Sequence, residues 1–219
     1  MDYRESFVRF MSECGALKFG EFKLKSGRIA PYFINTGSYN TGARLAKLGE
    51  YYADCIVKNA IEVQTVFGPA YKGIPLAVSC SIALAEKHGI QTNYAFDRKE
   101  AKDHGEGGEI VGKKLEDGEK TVITDDVITA GTAVNHVVPL LKSAADVEIT
   151  GMVISVDRME KGSDGKSAIA GIFENFGIKV YPIITVLDIT AALESGVIPG
   201  KEYLPAMKEY LKKYGSKEI

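Results

Sequence analysis

The sequence predicts an α/β protein with a mostly parallel central sheet flanked by helices. Three observations support this fold class. Short segments, such as residues 65–67 and 121–124, alternate with longer segments whose apolar residues recur at helical spacing. The short segments are largely apolar, as strands covered on both faces are. A content of 45% apolar residues, with 23 glycines against 7 prolines, indicates a packed chain with many tight turns rather than a disordered one.

The first part of the chain precedes this alternation. Apolar residues fall on one helical stripe in residues 3–14, and Gly15 is well placed to end that helix. Residues 16–39 are rich in glycine, serine, aromatic residues and lysine, which predicts short strands and loops. Thr41 is a typical N-cap for a helix that extends to about residue 59.

The alternating elements follow from residue 65 onward. Residues 98–120 lie among them as a long hydrophilic segment, which predicts a mobile loop that contains a short hairpin. In sheets of this kind, ligands bind beyond the carboxyl ends of the strands. The predicted strands are residues 65–67, 92–96, 121–124, 149–156 and 180–185, and the predicted helices are residues 74–88, 132–144, 167–176, 189–194 and 202–213.

Composition excludes several classes of protein. The 219 residues suffice for one domain with a substantial core. A net charge of −2 and a pI of about 6.0 disfavour nucleic acid as a partner, because duplex binding usually requires a basic face. The three cysteines, at positions 14, 55 and 80, are far apart, which favours packed thiols over disulfides or a zinc site. No segment approaches the ~20 apolar residues of a membrane span, and no signal peptide is evident, so we expect a cytoplasmic protein without a membrane partner.

The segment from residue 121 to residue 133 has the order expected of a phosphate-binding site. A β-branched strand leads into Asp125 and Asp126, and a turn of small residues then opens a helix. Small side chains let the backbone N–H groups approach a phosphate, and the hydroxyls of Thr129 and Thr132 add donors. Two carboxylates beside a phosphate must face something else, such as ribose hydroxyls, a metal ion or a developing positive charge. For such a fragment alone, helix capping by the acidic pair is about equally plausible.

Two further segments carry candidate binding residues at the same sheet edge. Residues 68–75 form a glycine-bracketed loop in which Lys72 and backbone donors are suited to a diphosphate, although an ordinary turn with a surface lysine is common. Residues 97–108 are strongly charged and contain several glycines. Such a run usually forms a solvated loop, but it also suits a lid that closes over a departing diphosphate.

Residues 121–133 resemble the signature of the type I phosphoribosyltransferases, enzymes that use 5-phosphoribosyl-1-diphosphate (PRPP). Other motifs narrow the resemblance to bacterial-type orotate phosphoribosyltransferases, over nearly the whole chain and most weakly after about residue 163. It implies one domain over residues 1–219, with a small N-terminal hood within residues 1–40. These motifs lie at residues 19–20, 24–28, 31–33, 67–75, 98–108, 124–133 and 155–158.

The resemblance also implies an activity: orotate displaces diphosphate from PRPP to give orotidine 5′-monophosphate, in de novo pyrimidine (UMP) biosynthesis. It implies Mg²⁺ as cofactor, carried mainly by substrate oxygens. It further implies a homodimer in which the neighbouring subunit lends Arg98, Lys102 and His104.

Site residues are carried over by position. The residues implied to act in catalysis are Lys99, Lys102, His104, Asp125 and Asp126. Those implied to bind PRPP are Lys25, Tyr71, Lys72, Arg98, Lys99, Lys102, His104, Asp125, Asp126, Val127, Ile128, Thr129, Ala130, Gly131, Thr132 and Ala133. Those implied to bind orotate are Phe33, Ile34, Thr129 and Arg158.

Two orotate-site assignments carry an alternative. Related enzymes often have an aromatic residue where this chain has Ile34, so ring stacking there would be lost whereas a backbone contact would not. Phe33 and Arg158 suit a flat, carboxylate-bearing base, but Arg158 by its sequence alone is equally suited to a surface ion pair.

Three other functions compete with this interpretation. A P-loop nucleotidase is disfavoured because Lys114 stands where that motif requires a hydroxyl, and no apolar strand precedes Gly107. A non-catalytic nucleotide sensor would not need the lysine-rich lid. A phosphoribosyltransferase for another base is distinguished by testing candidate bases side by side.

Overall fold

The computed structural model describes residues 2–24, 26–102, 108–128, 132–162 and 165–216; of these, the side chains of residues 100–102, 108 and 132 are not described. The chain begins with helix α1, a two-stranded antiparallel sheet and a short 3-10 helix at Thr36–Ser38. The N-terminal elements are α1 (Tyr3–Glu13), β1 (Leu17–Lys23), β2 (Ile29–Ile34) and α2 (Gly42–Lys58).

A six-stranded sheet forms the centre of the molecule. The strands of this sheet are β3 (Thr65–Gly68), β4 (Asn93–Lys102), β5 (Gly108–Gly112), β6 (Lys120–Val127), β7 (Glu148–Asp157) and β8 (Val180–Thr185). A second 3-10 helix, at Lys201–Tyr203, precedes the last helix. The helices that accompany the strands are α3 (Gly73–His88), α4 (Thr132–Ala144), α5 (Ala168–Phe176), α6 (Val186–Ser195) and α7 (Leu204–Tyr214).

The strand order β5-β4-β3-β6-β7-β8 is parallel except for β5, which pairs antiparallel with β4. This confirms the predicted fold class. From β3 the chain moves outward to β4, whereas from β6 it moves in the opposite direction to β7. The crevice between β3 and β6 is therefore a topological switch point, where ligands of open α/β sheets bind.

Helices cover both faces of the sheet. Val66 and Val122 point into a core that includes residues of α1, α2, α3 and α6, and their neighbours Phe67 and Ile123 point into a second core with α4 and α5. Adjacent strand residues face opposite sides, so this arrangement explains why the strands are apolar throughout.

Local signals place the helix ends. Gly15 has φ +68, a conformation that favours glycine, directly after α1. Thr41 caps α2 by accepting a hydrogen bond from the Arg44 N–H at 3.3 Å, as predicted. Helix α6 begins three residues earlier than predicted, because Asp188 accepts hydrogen bonds from the Thr185 N–H (2.6 Å) and hydroxyl (3.0 Å).

The hydrophilic segment after β4 is more regular than predicted in its described part. Strand β4 continues to Lys102 and β5 returns beside it, so the short hairpin is present. All three cysteines are free thiols, and two of them, Cys55 and Cys80, are buried. None of the helices within the described ranges is both long and apolar enough to cross a bilayer.

Candidate active site

The carboxyl ends of β3 and β6 bring two loops together. Strand β6 delivers Asp125 and Asp126, and the loop after β3 carries Lys72 to the start of α3. Lys72 Nζ lies 2.6 Å from Asp126 Oδ2, so an ion pair bridges the switch point. The sequence placed these two residues at one sheet edge, and the structure brings them into contact.

The Asp126 carboxylate is nearly enclosed, with 7% of the residue exposed. Its Oδ2 also accepts a hydrogen bond from the Thr36 hydroxyl at 2.8 Å, and its Oδ1 accepts one from the Val127 N–H at 2.7 Å. Thr36 follows the N-terminal sheet by two residues, so this contact joins the N-terminal region to the acidic pair.

Asp125 is held in a different environment. Its Oδ1 accepts a hydrogen bond from the Asp126 N–H at 2.8 Å, and its backbone carbonyl accepts one from the buried Tyr52 hydroxyl at 2.7 Å. Burial, and then the neighbouring Asp126 charge, raise the pKa of Asp125 from 3.8 to about 7. The free protein therefore holds this carboxyl partly protonated at neutral pH, and a cationic or hydrogen-bond-donating ligand would favour its ionisation.

The loop after β3 is compact because glycines bracket it. A Cβ on Gly68 would clash with the carbonyl group of Gly73. The buried Asp97, at 4% exposure, accepts a hydrogen bond from the Ala70 N–H at 2.6 Å. The next peptide bond, Ala70–Tyr71, is cis. Asp97 thus ties β4 to the loop that carries Lys72.

Basic and aromatic groups lie on the open side of this loop. Tyr71 is 66% exposed, and Lys99 Nζ lies 4.6 Å from the centroid of its ring. Lys72 has a side chain that is 68% exposed. These residues offer two positive charges and a ring to an anionic ligand.

The residues assigned to the base lie on β2 and just after β7. Phe33 is 38% exposed and stacks on Phe22 with ring centroids 5.4 Å apart. The Ile34 side chain is buried in the core. The Arg158 guanidinium lies 4.5 Å from the centroid of the Tyr32 ring and donates to Glu160 Oε1 from Nε (2.9 Å) and Nη2 (2.6 Å).

The remaining assigned residues divide into two groups. Val127 pairs with Val156 in the sheet, Ile128 packs at the edge of the second core, Ala133 is exposed in the first turn of α4, and Arg98 lies on β4. The rest lie outside the described residues or side chains, namely Lys25, Lys102, His104, Thr129, Ala130, Gly131 and Thr132.

Several residues of this region were missed by the sequence interpretation. Thr36, Tyr52, Asp97 and Glu160 hold the assigned residues in place, but no local pattern marks them, because each acts on a residue brought near by folding. In the sequence, Asp97 is distinguished only as the first residue of a charged run.

Comparison with known proteins identifies the family of this chain. Residues 36–183 match the phosphoribosyl transferase domain family. The orotate phosphoribosyltransferase of Clostridium beijerinckii is 48% identical over 221 residues, covering 98% of this chain and 99% of the relative. The chain belongs to the orotate phosphoribosyltransferase family.

Other members of the orotate phosphoribosyltransferase family agree in length and fold. The enzyme of Bifidobacterium animalis subsp. lactis is 50% identical and is covered over 96% of both chains. The crystal structure of the Francisella tularensis enzyme superposes with a TM-score of 0.85 at 42% identity, covering 96% of this chain and 100% of that one. The family match begins at Thr36 and includes both switch-point loops.

Proposed function

We propose that this protein transfers the 5-phosphoribosyl group from PRPP to orotate, giving orotidine 5′-monophosphate and diphosphate in de novo pyrimidine (UMP) biosynthesis. The observation that carries this proposal is the Asp125–Asp126 pair at the switch point, with Asp126 in contact with Lys72, in a chain that belongs to this family. PRPP combines anionic groups with ribose hydroxyls, so its binding needs both cations and carboxylate acceptors in one crevice.

The PRPP-binding part of the proposal assigns each loop one group of the substrate. Residues 127–133 lead into α4, whose N-terminus is suited to the 5′-phosphate. Lys72 takes the diphosphate, together with Tyr71 and Lys99. In the free protein Lys72 and Asp126 neutralise each other. Substrate separates them, because diphosphate then pairs with Lys72 and a ribose hydroxyl donates to Asp126.

The orotate part of the proposal rests on a flat wall and a cation. Phe33 offers an exposed ring, and Arg158 offers the guanidinium for the carboxylate. Since the Ile34 side chain is buried in the core, its contact with the base is through backbone atoms. Thr129 completes the site in the proposal.

The chemical step is a displacement at the anomeric carbon. The bond from that carbon to the diphosphate oxygen breaks, the bond to the orotate nitrogen forms, and the ribose gains oxocarbenium character in between. The orotate nitrogen gives up its proton, which passes to the leaving diphosphate or to solvent. Asp125 and Asp126 orient the ribose and favour positive charge on it, while Lys72, Lys99 and Lys102 stabilise the leaving diphosphate. His104 donates a hydrogen bond or proton to that leaving group.

Mg²⁺ belongs to the same proposal as a partner of the substrate. Mg²⁺ would be carried mainly by oxygens of the diphosphate and ribose, with no direct protein ligand assigned, and the carboxylates of Asp125 and Asp126 are of the hard, oxygen type that this cation favours. When bound, the ion neutralises charge on the diphosphate.

A homodimer with shared active sites is also proposed. Helices α2 and α3 form an exposed groove of about 710 Å³ lined by apolar residues such as Leu45, Ile74 and Val78, and Ile82 there is 52% exposed. Helix α3 starts directly after Lys72, so a second copy on this groove would lie beside the diphosphate loop. The partner would then be near enough to lend its own copies of the residues at positions 98, 102 and 104.

Mixing two inactive variants tests the sharing. Lys102→Ala and Asp126→Asn remove residues that the proposal places on opposite subunits of one site. Hybrid dimers should therefore regain one intact site, so activity should return on mixing. Absence of recovery despite proven subunit exchange would contradict the shared site.

Two further assignments accompany the proposed activity. We propose that the protein is a single-domain enzyme and that a small hood within residues 1–40 covers its active site; the Thr36 contact to Asp126 supports this. We also propose a cytoplasmic location, in keeping with the phosphorylated substrates.

The activity is tested by following orotate absorbance after adding PRPP and Mg²⁺ to the purified protein. Orotate loss with equal release of diphosphate, abolished by EDTA, is the expected result. Parallel reactions with uracil and with purine bases serve as controls. PRPP binding without orotate loss would redirect the proposal to another base or to a sensor.

A further inference from the structure

Glu160, which the sequence did not single out, is the centre of a cluster of polar side chains that includes Arg158. The Glu160 side chain is 17% exposed, and its Oε1 accepts three hydrogen bonds. Two come from Arg158, at 2.9 and 2.6 Å, and the third comes from the Tyr210 hydroxyl at 2.9 Å. Its Oε2 lies 3.5 Å from Nη1 of Arg28. One carboxylate therefore holds two arginines and a tyrosine.

The cluster leaves Arg158 with little conformational freedom. Its guanidinium is held at one edge by Glu160 and at one face by the fully buried Tyr32 ring. The pair with Glu160 uses Nε and Nη2, so Nη1 is the nitrogen that this pair does not occupy. A guanidinium fixed in this way offers its remaining edge to a ligand without first losing side-chain entropy.

Two distant parts of the chain support the carboxylate. Tyr210 lies on α7 and meets Tyr32 edge to face, with ring centroids 6.2 Å apart. Arg28, from the turn between β1 and β2, donates to the Lys161 carbonyl at 3.0 Å and lies 4.9 Å from the centroid of the Tyr214 ring. The C-terminal helix and the N-terminal sheet thus meet at Glu160.

We infer that Glu160 is a positioning residue that fixes Arg158 for the carboxylate of the base, and that Tyr210 of α7 holds Glu160 in place. This inference rests on the proposed function, since it takes orotate as the base. It assigns α7 a part in base selectivity. Glu160 also supplies the counter-charge that lets Arg158 remain buried when no substrate carboxylate is present.

The test compares Glu160→Ala, Glu160→Gln and Tyr210→Phe by steady-state kinetics. Loss of hydrogen bonds to a charged group should raise the orotate KM of Glu160→Ala about 10- to 100-fold, with the PRPP KM unchanged. Glu160→Gln retains an acceptor oxygen and should recover much of this loss. Tyr210→Phe removes one donor and should raise the orotate KM about 2- to 10-fold.

Selectivity separates positioning from general damage. Inhibition by uracil, which lacks the carboxylate, should be unchanged in all three variants, while orotate binding weakens. Glu209→Ala, which removes an exposed carboxylate beside Tyr210 on α7, is the matched control and should behave as wild type. Thermal unfolding identifies any variant that fails to fold, and the two conservative variants then carry the test.

Failure of this inference and failure of the proposed function would give different results. A folded Glu160→Ala variant with an unchanged orotate KM overturns the inference, as do equal rises in the KM values of orotate and PRPP. A wild-type protein that binds PRPP but consumes no orotate overturns the proposed function itself, and the inference with it.

Discussion

At the residue scale, Asp125 and Asp126 are adjacent in sequence but differ in environment. Asp126 contacts Lys72 and Thr36, whereas the Asp125 carboxyl is desolvated and lies next to the Asp126 charge. Consecutive residues of a strand point to opposite sides, so the Asp126 carboxylate reaches Lys72 and Thr36, whereas the Asp125 carboxyl accepts a hydrogen bond from the Asp126 N–H. Adjacent carboxylates can therefore have separate roles.

The raised pKa of Asp125 predicts a pH-dependent stability. Between about pH 4 and pH 7 the folded protein holds a proton here that the unfolded chain releases, so this group's contribution falls as pH rises, by at most about 1.4 kcal/mol per pH unit. Asp125→Asn should flatten the stability profile in that window and be more stable than wild type at pH 8. Denaturant unfolding across the pH range measures this, and an unchanged slope would contradict the assigned pKa.

Lys72 predicts a substrate-specific defect. Lys72→Ala removes one charge contact to the diphosphate, so the PRPP KM should rise about 10-fold or more with little change for orotate. Lys113→Ala is the control, because Lys113 pairs with Glu116 in a loop at the opposite edge of the sheet. Equal kinetic effects of the two substitutions would argue against a diphosphate role for Lys72.

At the element scale, the loop from Gly68 to Gly73 is shaped by contacts on both sides. The close approach of the two glycines turns the chain sharply from β3 into α3, and the buried Asp97 carboxylate holds the Ala70 N–H. A loop with a fixed backbone carries its exposed side chains in a fixed direction. The positions of Tyr71 and Lys72 thus depend on a residue of the neighbouring strand.

Asp97 therefore predicts a contrast between two substitutions. Asp97→Ala leaves the Ala70 N–H, which is partly buried, without its charged acceptor; this costs about 1–3 kcal/mol and should raise the PRPP KM through the loosened loop. Asp97→Asn keeps an oxygen in the same place and should behave much more like wild type. The unfolding free energy and both KM values check this, and identical behaviour of the two variants would contradict positioning through the hydrogen bond.

At the scale of the whole molecule, the α2–α3 groove is the surface that the proposed dimer would bury. Ile82→Lys should prevent association while the subunit stays folded, because substitutions at exposed sites usually change stability by at most about 0.5 kcal/mol. Activity should fall with the loss of the partner's lid residues. Sedimentation and the orotate assay measure both effects.

Phe173→Lys provides the matched control for the dimer. Phe173 is 59% exposed on α5, away from the groove, so its substitution should alter neither sedimentation nor activity. A monomeric Ile82→Lys variant with full activity would contradict the need for a shared site.

Local sequence patterns were sufficient for most of the fold. The Thr41 cap and the Gly15 turn lie where predicted, since capping depends on residues within one helical turn. The start of α6 was missed, because the Thr185–Asp188 capping box precedes the apolar residues used to place the helix. The sequence alone could not decide whether Ile34 contacts the base through its side chain or through its backbone, because the answer depends on the burial of the side chain in the folded protein.

The sequence by itself determined the fold class, the strand ends that carry the chemistry and the family, because periodicity and motifs depend on neighbouring residues. Only the tertiary structure decided which side chains meet. Lys72 and Asp126 are 54 residues apart, Tyr210 and Glu160 are 50 apart, and Thr36 and Asp126 are 90 apart. Contacts over such separations depend on how whole elements pack, and no local pattern records that packing.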